Sequence, residues 1–338
     1  MRKGQNPTKD TVPAYQAPGL GIAVVTYIPS LAGYFEHSLR VLKYEIASLH
    51  HSTGVPFDLY IFDNGSCNEV RQELFRLQDE GWIDFVFASR HNLGKIGMLN
   101  WILGSVPNEW ICYADSDVLF RPGWYEHSRA ILDSFPKTGL VAAQPCLDDV
   151  LRGQGRALAE LRDAPGFHLD RMLIDPQWID EYVTGFGYTA EKAELFKRSQ
   201  YPMVSHIQTG TQAVIGASHV QFLIPRPVAR QVVPLPATMS LSRQEDLNFN
   251  RTVDNLGYYH LSTLEPYYYH MGNTLDENVL SDIARFGLDR LLNMPAPAAK
   301  KKQSGWWLRW LRRLSRLPLL GSIVYRSYKL LFEIYSQQ

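Results

Sequence analysis

Cysteine is scarce in this chain: Cys67, Cys112 and Cys146 are the only three among 338 residues, and no two stand in a C-x-x-C spacing. That excludes a zinc ribbon or a dithiol redox centre, and an odd number of thiols suits a reducing compartment. Long hydrophobic runs are missing too. The best C-terminal candidate is interrupted by Arg326 and Lys329, so the sequence offers no membrane span. Residues 1–19 lack the apolar stretch of a secretory signal and read as a flexible leader. There is no excess charge of one sign, since the formal net charge is +0, which gives no overall pull toward nucleic acid. The balance conceals a split. From Lys300 onward nine lysines and arginines face one acid, Glu333, against 25 basic and 33 acidic residues before that point. A body of about −8 therefore carries a tail of about +8.

What is present is an ordinary 45% of hydrophobic residues, enough for a sizeable core, in a repeated strand–helix pattern. Ile22 to Tyr27 reads as a strand, and Leu39, Leu42, Ile46 and Leu49 as one face of a helix. Leu59 to Phe62 is a second strand, stopped by the turn-forming Asp63-Asn64-Gly65-Ser66, after which Val70, Leu74 and Leu77 mark another helix. Asp84 to Ala88 and Trp110 to Ala114 are further strands, with a helix over Gly94 to Leu103 between them. Such an alternation predicts a mostly parallel sheet flanked by helices, with ligands beyond the carboxyl ends of the strands. From Asp148 to about Pro202 the periodicity fades, as in an acceptor-facing insertion. A helix beginning near Arg243 carries Glu245-Asp246, and Pro266 to Asn273 places three tyrosines before His270. After Pro295 and Pro297 the composition changes, so the organisation predicted is leader 1–19, catalytic body 20–297 and basic tail 298–338.

Asp115-Ser116-Asp117 follows a buried strand directly, so both carboxylates sit at its carboxyl end. Magnesium and manganese favour oxygen ligands, and a departing diphosphate needs such an ion to neutralise its charge. Other strand ends add polar residues: Thr26 and Tyr27, Asp63, and Asn92-Leu93-Gly94-Lys95. Together, Thr26, Asp63-Asn64-Gly65-Ser66, Gly94-Lys95-Ile96-Gly97-Met98-Leu99-Asn100 and Asp115-Ser116-Asp117 resemble the family 2 glycosyltransferases in order and spacing. The resemblance implies the α/β GT-A (Rossmann-like) fold and a nucleotide-sugar donor, with a UDP-sugar as the expected one. It assigns Thr26, Tyr27 and Asp63 to the nucleoside, Asp115 and Ser116 to the ribose side, and Asn92, Gly94, Lys95 and Asn100 to the nucleotide-sugar. Asp117 falls to the metal, Mn2+ or Mg2+. For Lys95 a helix-surface lysine is the alternative.

Glu245-Asp246 resembles that family's Glu-Asp pair at the start of a helix under the acceptor, which makes Asp246 the expected base of an inverting transfer, with Glu245 beside it. Asn248 and Arg251 depart from the family's usual spacing, and two acids in a helix's first turn are also favoured by the helix dipole. His270 stands where many GT-A enzymes supply a further metal ligand, and a neutral imidazole can join carboxylates on manganese. The remaining candidates, His50, His51, His168, His206 and His219, are read as structural.

On a helix, Trp306, Trp307 and Trp310 share an arc opposite Arg309, Arg312, Arg313 and Arg316, which suits an anionic membrane surface better than nucleic acid. No Q-x-x-R-W motif of processive synthases is present: Gln303 to Trp307 has Trp306 in place of Arg. The expectation is a non-processive hexosyltransferase, peripheral on the cytoplasmic face of the membrane, acting on a lipid-linked or cell-envelope glycan. Two alternatives stay open. A sugar nucleotidyltransferase would share sheet and metal but usually opens with a Gly-rich loop, which Thr26-Tyr27-Ile28-Pro29 is not; a catalytically silent, nucleotide-sugar-binding membrane adaptor would share the fold.

Overall fold

The computed structural model describes residues 15–148, 155–236 and 243–293, with the backbone alone at 243–247 and 291. Residues 17–297 cluster as one compact unit. Its first half alternates β1 (Leu20–Thr26), α1 (Ser38–Ser52), β2 (Phe57–Asp63), α2 (Asn68–Asp79), β3 (Phe85–Ala88), α3 (Gly94–Ser105) and β4 (Trp110–Asp115). β1 lies between β2 and β4 and runs parallel to both, while β3 pairs in parallel outside β2. Such a strand needs apolar side chains on both faces, and the wholly apolar Ile22-Ala23-Val24 supplies them. Ile22 and Val24 join Leu59, Ile61 and Cys112 in one core layer, whereas Ala23 joins Tyr60, Phe62, Ile111 and Tyr113 in the other.

The chain then forms β5 (Val118–Phe120), α4 (Trp124–Ser134), β6 (Thr138–Ala142), α5 (Gly155–Leu161), β7 (Phe167–Met172), α6 (Pro176–Phe186), α7 (Ala190–Arg198), β8 (Tyr201–His206), β9 (Gln212–Ile215) and β10 (Gln221–Pro225). It continues with α8 (Arg226–Val232), α9 (Arg243–Asn255), β11 (Tyr259–Ser262), β12 (Tyr268–His270), α10 (Glu277–Phe286) and α11 (Leu288–Asn293). Among the described residues, ten strands form one mixed sheet in the order β3-β2-β1-β4-β10-β6-β11-β9-β8-β7. β10 inserts antiparallel between β4 and β6, and β6 and β11 are parallel. β5 and β12 make a separate two-stranded ribbon that carries the chain from Asp117 and brings His270 back to it.

The expected strands and helices of the first half agree with the observed ones to within a few residues, except that Tyr27 lies past the strand and is 40% exposed. The stretch 148–202 is more regular than its sequence implies, holding α5, β7, α6 and α7. Its weak periodicity has a physical cause: β7 is a sheet-edge strand without a fully buried residue, so its residues alternate only between half-buried and exposed. No helix among the described residues is long and apolar enough to cross a membrane.

Candidate active site

Strand register brings the sequence-predicted residues to one edge of the sheet. Thr26 is opposite Asp63, Val25 opposite Asp115, and Asp63 opposite Ala88. The loops that follow interlock. Asp63 Oδ1 accepts from the Ser66 amide at 2.8 Å, closing the turn, and Ser66 Oγ accepts from the Ile28 amide at 2.9 Å. Asn64 Oδ1 accepts from the Leu93 amide at 2.7 Å while its Nδ2 donates to Asn92 Oδ1 at 3.0 Å, and Asn92 Oδ1 also accepts from the Gly94 amide at 2.8 Å. Gly65 has φ +97° and a Cβ there would lie 3.1 Å from the His91 carbonyl carbon, so both conformation and space demand glycine.

The side chains on this rim have different freedoms. Thr26 is fully buried and its Oγ1 has no hydrogen-bond partner, while Tyr27 presents an exposed ring edge-on to Phe35. Asp63 is fully buried, and its second oxygen accepts from Arg71 Nε at 3.1 Å. Each of its oxygens accepts one hydrogen bond, so Asp63 shapes the turn while a second acceptor site remains on each. Lys95 Nζ donates to Asp115 Oδ2 at 3.3 Å and to the His219 carbonyl at 3.3 Å, which settles its direction: it points at the triplet, not away from it. Asp115 Oδ1 accepts from Tyr113 OH at 2.5 Å. The Asn100 side-chain amide donates to the Leu235 carbonyl at 3.0 Å and accepts from the Leu235 amide at 2.7 Å, a reciprocal pair that pins α3 to the segment after α8.

Asp117 and His270 meet. His270 Nε2 lies 3.3 Å from Asp117 Oδ2, and the Met271 amide donates to the Asp117 carbonyl at 2.8 Å. Nδ1 of the same ring is 2.8 Å from the Gly185 carbonyl, and the ring stacks on Phe186 with centroids 4.4 Å apart. Burial opposes charge on His270, but the Asp117 carboxylate and its hydrogen bond, the Gly185 carbonyl and the Asp115 charge together push it up to about 9. Asp117 Oδ1 is buried without a partner. An orphaned carboxylate oxygen beside an imidazole nitrogen fits a divalent cation of the Mn2+ or Mg2+ type. Among the described residues no third His, Cys, Asp or Glu completes a cluster, so water and diphosphate oxygens would fill the other positions, as such ions favour.

Several neighbours had weaker signals. Tyr113 lies two residues before Asp115, hence on the same strand face, and period two alone could have nominated it. Glu45 is an acid within the apolar arc of α1, with both oxygens buried and unpartnered. Burial, then the charges of Asp117 and Asp115, raise its pKa well above the ordinary value and so favour the protonated acid. Gly185 and Phe186 carried no local signal. Glu245 and Asp246 fall in the first turn of α9 with side chains outside the description, although Phe249 of that helix packs 5.7 Å from the His219 ring. Trp306, Trp307, Arg309, Trp310, Arg312, Arg313 and Arg316 lie outside the described residues.

The family profile for glycosyl transferase family 2 matches residues 34–194, which include the D-x-G-S turn, the G-K segment and the D-x-D triplet. No curated protein matches the sequence. Solved structures align at low identity. S. aureus TarS 1–349 gives a TM-score of 0.44 at 13% identity, over 94% of this chain and 89% of its own. The mannosyltransferase PcManGT from Pyrobaculum calidifontis, in complex with GDP-Man and Mn2+, gives 0.47 at 11% identity over 97% and 90%. GalNAc-T7 with UDP, GalNAc and Mn2+ gives 0.44 at 12% identity over 82% of this chain and 48% of its own. The family match makes residues 34–194 a glycosyl transferase family 2 domain, just under half of the chain, and supports a transferase.

Proposed function

We propose that this glycosyltransferase moves a single sugar, with inversion, from a UDP-sugar to a lipid-linked or cell-envelope glycan in a reaction dependent on Mn2+ or Mg2+. The observation that carries the reading is the meeting of Asp117, its Oδ1 orphaned, with His270 beside the Asp115–Lys95 pair. A divalent cation bound there would supply Lewis-acid stabilisation of the charge that builds on the departing diphosphate. Thr26, Tyr27 and the interlocked turns at 63–66 and 92–94 form the wall for the nucleoside. Asp115 and Ser116 take the ribose side, and Lys95, already 3.3 Å from Asp115, lies within reach of the nucleotide. Asp246, with Glu245 beside it, accepts the acceptor hydroxyl's proton as the new bond forms.

The family 2 domain argues against the nucleotidyltransferase alternative, and turnover separates a working enzyme from a silent adaptor. Hydrolysis of a panel of nucleotide-sugars, with and without acceptor, should require Mn2+ or Mg2+ and should fall about a thousandfold in Asp117→Ala and Asp246→Asn. Activity retained in both variants would sink the assignment. The basic, tryptophan-rich tail supports work at the cytoplasmic membrane surface, with the catalytic body at 20–297 and the tail at 298–338.

A further inference from the structure

α6 ends where the site needs a fixed point. Asp175 caps its start, accepting from the Gln177 amide at 2.8 Å, and Pro176 opens its first turn. Gly187, at φ +64°, ends it by donating to the Thr184 carbonyl at 3.1 Å. The last carbonyls of a helix have no partner within it. One of these, on Gly185, faces His270 Nδ1 at 2.8 Å. A carbonyl can only accept, so Nδ1 must carry the proton, and a neutral ring then has its lone pair on Nε2, the nitrogen 3.3 Å from Asp117. The helix comes this close only because residue 185 is glycine: a Cβ there would lie 2.4 Å from the His270 carbonyl oxygen.

The adjacent Phe186 fixes the plane of the ring. It stacks on His270 with centroids 4.4 Å apart and planes inclined by 15°, and its own orientation is held by stacking with Tyr182 at 4.4 Å and Tyr188 at 5.9 Å. α6 is anchored in turn, since Glu181 pairs with Arg121 at 2.9 Å just beyond β5. A hydrogen bond that sets the tautomer and a flat surface that sets the tilt are the two constraints an imidazole ligand requires.

We propose that the carboxyl end of α6, through the Gly185 carbonyl and the Phe186 ring, is the positioning device that aims His270 Nε2 at a divalent cation shared with Asp117. Neither residue touches the cation. The inference rests on the reading of Asp117 and His270 as its ligands, and the test separates the two. Mn2+ alone is titrated into the full chain by calorimetry, without nucleotide, for the wild type, Phe186→Leu, Gly185→Ala and His270→Ala, alongside thermal melting in chelator. Phe186→Leu and Gly185→Ala should weaken Mn2+ binding about 10- to 100-fold, with Phe186→Leu melting near the wild type.

The wild-type chain, labelled with 15N-histidine and loaded with diamagnetic Mg2+, provides a readout independent of how the variants fold. The His270 resonances, identified by their loss in His270→Ala, should show a neutral ring protonated at Nδ1. Wild-type Mn2+ affinity in Phe186→Leu would overturn the positioning role while leaving the metal reading intact, whereas a proton on Nε2 in the loaded chain would remove His270 as a ligand and this inference with it. Unchanged Mn2+ affinity in His270→Ala would remove the metal reading and this inference with it.

Discussion

At the scale of single residues, the account turns on a proton that a cation must displace. Without metal, His270 is held at about 9 and pairs with Asp117 as an imidazolium. A raised histidine pKa stabilises the fold in full below its unfolded value of about 6.5, and that stabilisation is lost as pH rises through about 9. In chelator, the melting temperature lost on His270→Ala should therefore be larger at pH 6.5 than at pH 9.5. Metal binding runs the other way, because the ring must be neutral to ligate: Mn2+ affinity should climb by up to about tenfold per pH unit between pH 6.5 and 8.5. Calorimetric affinities flat across that range would contradict the pairing. Glu45 obeys the same linkage with a different outcome. Its carboxyl is raised by burial first and by the Asp117 and Asp115 charges after, so the folded state holds its proton and stability declines as pH rises above the ordinary carboxylate range. Glu45→Gln keeps the shape without the acid. It should melt close to the wild type at pH 5 and a few degrees higher at pH 8.

At the scale of elements, Arg121 ties three of them together. It follows β5 directly, donates to Glu181 of α6 at 2.9 Å and to Asp282 of α10 at 2.7 Å, and its backbone amide is held by the Tyr267 carbonyl before β12. Arg121→Met leaves two largely buried carboxylates without their cation and should cost about 3–5 kcal/mol in denaturant unfolding. An unfolding midpoint unchanged from the wild type would show that the three elements hold together without it. Local chemistry made half of this architecture legible beforehand. β1, β2 and β4 are short apolar runs ended by turn residues, and α1 shows its core stripe at Leu42, Ile46 and Leu49, so no distant partner was needed to recognise them. The rest depends on partners far along the chain. Nothing near Gly185 signals that its carbonyl meets His270, and nothing near Asn100 signals that Leu235 takes both ends of its amide. Asn100 fits a motif by spacing, and its hydrogen bonds add a structural task that the spacing does not reveal. The insertion of β10 between β4 and β6 is likewise invisible to any window of sequence.

At the scale of the whole molecule, the charge split sets body against tail. A body near −8 would be repelled by an anionic membrane, so a tail near +8 with Trp306, Trp307 and Trp310 is what would hold the enzyme there. In liposome flotation the full chain should float with vesicles containing anionic lipid and stay down with neutral ones, and a chain ending at Ala299 should not float with either. Equal flotation of the shortened chain would remove the membrane from the account. Chemistry at the sheet edge stands apart from that question. Its central claim is that Asp117 and His270 hold a divalent cation for a nucleoside diphosphate, and titrating UDP into the full chain with and without Mn2+ tests it most directly. Mn2+ should tighten UDP binding by about tenfold or more in the wild type and have little effect in Asp117→Ala and His270→Ala. A wild-type affinity indifferent to Mn2+, or an enhancement that survives in Asp117→Ala, would contradict it.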